Sequence, residues 1–319
     1  MKRLILISLL LISQFSCKTA KEFKSGGLSK AIELNLDYAK AYFNSGLSKY
    51  DLKDYNGAIV DFTKAIELNS NLHEAYYNRG VSKAKLKDYN GAIADFTKAI
   101  ELNPNLSDAY YNRGLSKAKL KDYNGAIADY TKAIELNPNY SSAYYNRGLL
   151  KDDLKDYNGA IADYTKTIEL NPYDAKAYYN RGVLKDDLKD YNGAIADYTK
   201  AIELNPYDAK AYYNRGVSKY DLKDYNGAIA DYTKAIELNP NLYDAYINMG
   251  NSKYYLKDYN GAIADYTKAI ELNPYDAKAY LIRGISKYLI NDINGACQDA
   301  RKSKQLGSDA SKVINAFCN

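Results

Sequence analysis

Tryptophan is absent from this chain, histidine occurs once, and there are only three cysteines and two methionines in 319 residues. The lone histidine, His73, has no cysteine near it in sequence, so a zinc site of ordinary ligand type is excluded. No glycine-rich loop stands between a strand and a helix to cradle a phosphate. Serines and threonines are plentiful but lack a partnering base, which leaves a nucleophile–base arrangement unsupported. An excess of one charge is missing too: 44 basic and 39 acidic residues leave a formal charge of +5. Lysines alternate with acidic residues as on solvated helix faces, and no basic run marks a nucleic-acid surface. The acidic pairs Asp152-Asp153 and Asp186-Asp187 sit in helical segments rather than in a loop of spaced oxygen ligands, which speaks against calcium. The expectation is a chain without enzymatic activity, metal or cofactor.

Proline is scarce as well, and its placement is the most informative feature present. Pro104, Pro138, Pro172, Pro206, Pro240 and Pro274 are each 34 residues apart, and Gly46, Gly80, Gly114, Gly148, Gly182, Gly216, Gly250 and Gly284 keep the same step. Such a period means one small supersecondary unit stacked on copies of itself. The 36 tyrosines are mostly the same few positions copied once per unit.

In the unit from Ser107 to Tyr140, Ala109, Tyr110, Gly114 and Leu120 make one helical stripe. Ala126, Ile127, Tyr130, Ala133, Ile134 and Leu136 make a second. Between them Lys121-Asp122-Tyr123-Asn124-Gly125 reads as a turn, with Asp122 able to cap the second helix. Asn137-Pro138 ends that helix, because proline excludes the α region from the residue before it. Two helices of about 14 residues, each about 21 Å long, follow.

The aromatic Tyr110, the small Gly114 and Ala126, the aromatic Tyr130, Ala133 and Pro138 together resemble the tetratricopeptide repeat. The resemblance implies an all-α, right-handed superhelical solenoid of helix-turn-helix repeats, with Gly114 and Ala126 allowing two backbones to approach closely. Arg113 departs from the family pattern, and the arginine recurs in most units, as does an aspartate equivalent to Asp129. An Arg–Asp pair bridging the two helices of a unit is one expectation; both groups facing water is the other.

Eight full units cover 39–310, beginning at Ala39, His73, Ser107, Ser141, Ala175, Ala209, Tyr243 and Ala277. Ala310, Val313, Ile314 and Phe317 give a helical stripe for a capping helix over 311–319. Residues 17–38 read as a tether and a collapsed repeat: Ala20–Lys30 aligns with Ala39–Lys49, and Ala31–Leu34 with Ala65–Leu68. One continuous short helix is expected there, weakened by Gly26 and Gly27 at roughly 1 kcal/mol each relative to alanine.

At the start, Met1-Lys2-Arg3 precedes an apolar stretch from Leu4 to Ile12 that is too short to span a bilayer. With Ser16 before Cys17, residues 1–16 resemble a bacterial lipoprotein signal, although Gln14 departs from it. The resemblance implies lipidation of Cys17 and a membrane anchor in a bacterial cell envelope. Lys18, in place of the aspartate that often retains lipoproteins in the inner membrane, points to the outer membrane. The alternative is a secreted or periplasmic protein. Cys297 and Cys318 then remain as a pair in an exported chain, expected as a disulfide or as two buried thiols.

In this fold the first helix of each unit lines the concave face, through positions five, six, nine, twelve and thirteen of the unit. Position six carries Asn44, Asn78, Asn112, Asn146, Asn180, Asn214 and Asn248, a series broken by Ile282. It resembles the asparagine ladder in the superhelical repeats of the O-linked N-acetylglucosamine transferase, which implies binding of an extended peptide through its main chain. The other reading is that these amides bond neighbouring helices. Beside them stand Phe43, Tyr77, Tyr111, Tyr145, Tyr179 and Tyr213. At position thirteen Lys85 and Lys119 give way to Asp153, Asp187 and Asp221, while Lys176 and Lys210 lie near the opposite ends of those first helices. The middle of the groove is therefore expected to have one acidic and one basic rim, the acidic part favouring a ligand with positive charge. Tyr or Phe occupies the place of the first lysine of the family's carboxylate clamp, which argues against recognition of C-terminal tails. The functional expectation is a membrane-tethered scaffold for a protein or extended peptide; the alternative is an architectural, self-associating array.

Overall fold

The computed structural model describes residues 17–318; the expected leader 1–16 and Asn319 lie outside the described residues. All regular structure among those described is helical. The chain forms two compact bodies, Met1–Ala143 and Tyr144–Asn319. The first contains α1 (Cys17–Asp51), α2 (Tyr55–Leu68), α3 (His73–Lys85), α4 (Tyr89–Leu102), α5 (Ser107–Lys119) and α6 (Tyr123–Leu136), while α7 (Ser141–Asp153) spans the division. The second continues with α8 (Tyr157–Leu170), α9 (Ala175–Asp187), α10 (Tyr191–Leu204), α11 (Ala209–Asp221) and α12 (Tyr225–Leu238). It ends with α13 (Tyr243–Tyr255), α14 (Tyr259–Leu272), α15 (Ala277–Leu289), α16 (Ile293–Gln305) and α17 (Ser311–Phe317). Up to α16, odd-numbered helices are the first and even-numbered helices the second of a unit. Each body is thus a tandem helical solenoid.

Local chemistry fixes both turns of the unit. After α5 the chain passes Leu120, and Lys121 takes φ 65°. The Lys121 N–H donates to Ala118 O at 3.0 Å, and that of Asp122 to Lys117 O at 3.0 Å, which satisfies two end carbonyls. Asp122 then caps α6, its Oδ1 accepting from Gly125 N at 3.0 Å. A Cβ on Gly125 would lie 2.2 Å from the Asp122 carboxylate, so this cap requires glycine. A lysine held left-handed costs about 1 kcal/mol, which glycine avoids, although its freer unfolded state offsets part of the gain. Lys121→Gly is therefore expected to raise stability modestly, read as a higher urea midpoint; a lower midpoint would contradict this account of the turn.

The second turn is an asparagine device. Asn137 ends α6 in an extended conformation, and its Oδ1 accepts from Asn139 N at 3.1 Å. Ser70 replaces proline in the first full unit, yet Asn69 adopts the same conformation and accepts from Asn71 N at 3.1 Å. The asparagine side chain therefore supplies the stop, and proline reinforces it.

The collapsed repeat behaves differently from the short helix expected over 17–38. The helix does not end there: α1 runs 35 residues without interruption from Cys17 into the first full unit, and among the described residues no hairpin precedes Ala39. Asn35 is followed by Leu36 rather than proline, and the deletion leaves no preceding second helix for a turn to pack upon. Leu34, Leu36 and Tyr38 are exposed along this helix.

The core is made of small residues and one large ring per unit. Ala109, Ala126 and Ala133 are fully buried, and Tyr130 lies over Gly114, where a Cβ would stand 2.8 Å from the ring. Phe62 and Phe96 hold the same place in earlier units, and Tyr164, Tyr198, Tyr232 and Tyr266 in later ones. In the last unit Ala300 stands there, and Val313, Ile314 and Cys318 pack against Ala296 and Ala300 instead. Phe317, the last member of the expected capping stripe, has a side chain outside the described residues. Cys297 and Cys318 are joined as a disulfide, with Cα atoms 5.3 Å apart.

The Arg–Asp expectation is realised. Arg113 donates through Nε and Nη2 to the two oxygens of Asp129 at 2.9 and 2.7 Å, and through Nη1 to Thr97 of the preceding unit at 3.1 Å. Lys117 pairs with the same carboxylate at 2.8 Å. The arrangement recurs at Arg79–Asp95, Arg147–Asp163, Arg181–Asp197, Arg215–Asp231 and Arg283–Asp299. A forked guanidinium matches a carboxylate in two bonds, so each pair fixes the angle between its helices.

Candidate functional site

The first helices place positions five, six, nine, twelve and thirteen together on one face. The tyrosines at position five are half-buried, their rings leaning on the second-helix aromatic: Tyr77 on Phe96 at 5.8 Å, Tyr111 on Tyr130 at 5.8 Å, and Tyr179 on Tyr198 at 5.9 Å. Burial pushes the Tyr77 hydroxyl up to about 12, and raises those of Tyr145, Tyr179 and Tyr213. They remain neutral hydroxyls at physiological pH.

The asparagine series meets these hydroxyls. In the first body Asn112 Nδ2 donates to Tyr77 OH at 3.1 Å, and also to Asp108 O at 2.9 Å. In the second body Asn180 donates to Tyr145 OH at 3.1 Å, Asn214 to Tyr179 OH at 3.0 Å, and Asn248 to Tyr213 OH at 3.1 Å. Each amide therefore bonds the tyrosine one unit before it. The neighbouring-helix role is present in the structure, and it also aligns the amides on the face. Asn44 is exposed, and Asn78 donates to Glu74 O at 2.8 Å. Asn146 belongs to the same row.

Asp153, Asp187 and Asp221 are exposed at the ends of α7, α9 and α11. Position twelve adds Asp152 and Asp186, both half-buried, and Asp186 accepts from Ser218 Oγ. Burial, then Asp153 and Asp187, raises the Asp152 carboxyl; burial raises that of Asp186, with Asp221 and Asp187 adding to it against the Ser218 bond. A carboxyl raised in the folded state keeps its proton at a pH where the unfolded chain has released it. Its contribution therefore favours folding at acidic pH and is lost as pH rises above the ordinary carboxylate value through the folded one. Asp186→Asn is expected to flatten that decline. Thermal melts across the acidic range check it, an unchanged slope being the contrary result.

At position twelve the units differ in a way that the shared repeat pattern does not interpret: Ala84 and Ala118 change to Asp152 and Asp186, then to Tyr220, Tyr254 and Tyr288. The last of these changes builds a cavity of about 270 Å³ lined by Tyr220, Asn251, Tyr254, Tyr255, Tyr266, Ile282 and Ile285. His73 lies elsewhere, at the first residue of α3, 3.4 Å from Asn103. Among the described residues no group of three His, Cys, Asp or Glu could hold a metal ion.

Models of the tetratricopeptide repeat match residues 73–106, 107–140, 141–174, 175–208, 209–242 and 243–276, and a further TPR repeat model matches 46–87. The chain belongs to the tetratricopeptide repeat family. Among solved structures, YrrB, described as a TPR protein with an unusual peptide-binding site, is 26% identical, with a TM-score of 0.55 over 58% of this chain and 95% of its own. MamA from Desulfovibrio magneticus is 27% identical, with a TM-score of 0.51 over 54% of this chain and 97% of its own. The C-terminal part of a repeat protein from Cytophaga hutchinsonii, at 22% identity and a TM-score of 0.64 over 74% of this chain and 97% of its own, shares the fold. No curated protein matches the chain.

Proposed function

We propose that this tetratricopeptide protein is a non-enzymatic scaffold that binds extended peptides or proteins through the first-helix face, tethered by a lipid on Cys17 in a bacterial envelope. The observation that carries the binding reading is the row of asparagines held in register by tyrosine hydroxyls. Asn112, Asn180, Asn214 and Asn248 each spend Nδ2 on the preceding tyrosine. Their Oδ1 atoms remain as acceptors for a partner's main-chain N–H groups. YrrB, which has a peptide-binding site on the same fold, is consistent with this use.

A paired substitution separates ligand binding from internal support. Tyr179→Phe removes the hydroxyl that Asn214 bonds but leaves the amide; Asn214→Ala removes the amide itself. Partners captured by crosslinking in the native envelope are expected to bind Tyr179→Phe nearly as wild type and Asn214→Ala more weakly. Equal losses would mean that the amides serve only the helices. The tether is supported by the sequence around Cys17; no helix among the described residues is long and apolar enough to cross a membrane. Fatty-acid labelling that persists in Cys17→Ser would overturn it. Of the two membranes, Lys18 favours the outer. Self-association is the second reading, favoured by Leu34, Leu36, Tyr38 and Leu52, which stay exposed at the N-terminal edge. It predicts a sedimentation coefficient that rises with concentration.

A further inference from the structure

The asparagine row stops where the tyrosine cavity begins. Ile282 replaces the next asparagine, and Asn251 replaces the aliphatic residue of position nine; both line the cavity. Tyr220, Tyr254 and Ile285 come from positions twelve and nine of α11, α13 and α15, so the cavity opens on the candidate binding face. Its aromatic wall is ordered by its own contacts. Tyr255 stacks on Tyr225 at 5.1 Å with planes 7° apart, Tyr220 meets Tyr225 and Tyr255 edge-on at 5.5 and 5.9 Å, and Tyr254 meets Tyr259 edge-on at 5.5 Å. Asn251 Oδ1 accepts from Tyr266 OH at 2.9 Å.

Charge decides what fits. Four cations of these units are already engaged: Lys219 with Asp231 at 2.7 Å, Lys253 with Asp265 at 2.7 Å, Lys287 with Asp299 at 2.8 Å, and Arg283 with Asp299 at 2.7 Å. Asp221, next to Tyr220, and Asp152, Asp153, Asp186 and Asp187 before it have no ion-pair partner among the described residues. A cavity of aromatic faces thus lies at the end of a row of unneutralised carboxylates. Arginine suits both parts: its guanidinium is weakly hydrated, stacks on aromatic rings and carries five donors for carboxylates. The chain uses that pairing itself, with Arg181 over Tyr178 at 5.7 Å and Arg215 over Tyr212 at 5.6 Å.

We propose that the cavity lined by Tyr220, Tyr254 and Tyr255 takes an arginine side chain of a basic, extended peptide, whose further cations lie along Asp221, Asp187 and Asp186. The proposal rests on the peptide-binding reading and names the class of peptide for this part of the face. The asparagines take the main chain, the carboxylates select charge, and the cavity anchors one residue.

The full chain is titrated by calorimetry with a blocked peptide of alternating arginine and serine, with its citrulline counterpart, and with its leucine counterpart. Citrulline keeps the planar shape of arginine and lacks its charge. The arginine peptide is expected to bind at least about tenfold more tightly than either, a gap that narrows as salt rises. Tyr255→Ala, at a side chain 57% exposed in the fold, is expected to lower that affinity about tenfold with an unchanged helical signal. Asp221→Asn is a second variant that touches no core contact, and it should weaken the arginine peptide while sparing the others. Equal or tighter binding of the citrulline or leucine peptide overturns the proposal, as does wild-type affinity in both variants. If none of the three binds, this proposal falls; the peptide-binding reading falls only if Asn214→Ala and Tyr179→Phe also fail to differ toward a captured partner.

Discussion

Asp129→Ala is expected to destabilise its part of the array by about 3 kcal/mol, because it leaves a half-buried guanidinium without its carboxylate. Asp129 is 4% exposed, receives both Arg113 donors and pairs with Lys117. Thr97 remains to Arg113 as a hydroxyl partner, and Tyr110 lies beneath it with its centroid 5.4 Å away, but neither neutralises it. Asp265 is an internal control. There Met249 replaces the arginine, Lys253 is the ion-pair partner at 2.7 Å, and burial raises the carboxyl. Asp265→Ala should cost much less, at most about 1 kcal/mol, since a lysine can turn its ammonium to water. Array proteins open unit by unit, so the comparison is best read as local hydrogen-exchange protection in α5–α6 and in α13–α14. Equal losses at the two sites would show that the arginine fork contributes nothing beyond a charge pair.

Cys318→Ser is expected to be the second large effect, and one confined to the C-terminal end. The disulfide closes a loop of 21 residues, and the chain-entropy account gives such a bridge about 3 kcal/mol. What it retains is short. α17 has seven residues, too few to be helical alone, and Val313 and Ile314 are its grip on Ala296 and Ala300. Without the bond α17 should exchange its amides rapidly and expose the face above Gly284, where no large aromatic side chain fills the space. The preceding units should keep their protection. Protection of α17 unchanged by the substitution, or by reductant, would mean that packing alone holds the cap.

The fold was legible because the repeat puts its punctuation at fixed phase. Asp122 caps, Gly125 makes room for the cap, Asn137 stops and Gly114 admits the ring of Tyr130, and each of these follows from the residue type and its place in the period. Three features needed the structure. A residue at φ 65° reads as glycine or asparagine in sequence, yet Lys121 occupies it, because two backbone hydrogen bonds at the turn outweigh a modest strain. The collapsed repeat aligns cleanly as a deletion, but whether a chain turns depends on something to pack against, and α1 simply continues. The partners of the asparagines were also hidden: a bond between positions 35 residues apart, as from Asn112 to Tyr77, depends on how units stack, which a one-dimensional pattern does not state. The cavity at Tyr220, Tyr254 and Tyr255 was missed for another reason. Its tyrosines resemble the repeated ones, and Tyr220 and Tyr254 stand at position twelve, where the four units before Tyr220 have alanine or aspartate.

The proposed function requires that the first-helix face, and not the second-helix face, receives the partner. Photo-crosslinking from single positions tests it most directly, with a benzophenone side chain placed at Val217 on α11 or at Lys234 on α12. Adducts with a partner are expected from position 217, lost when Asn214 is also replaced by alanine, and none from position 234. Adducts from 234 alone would contradict it.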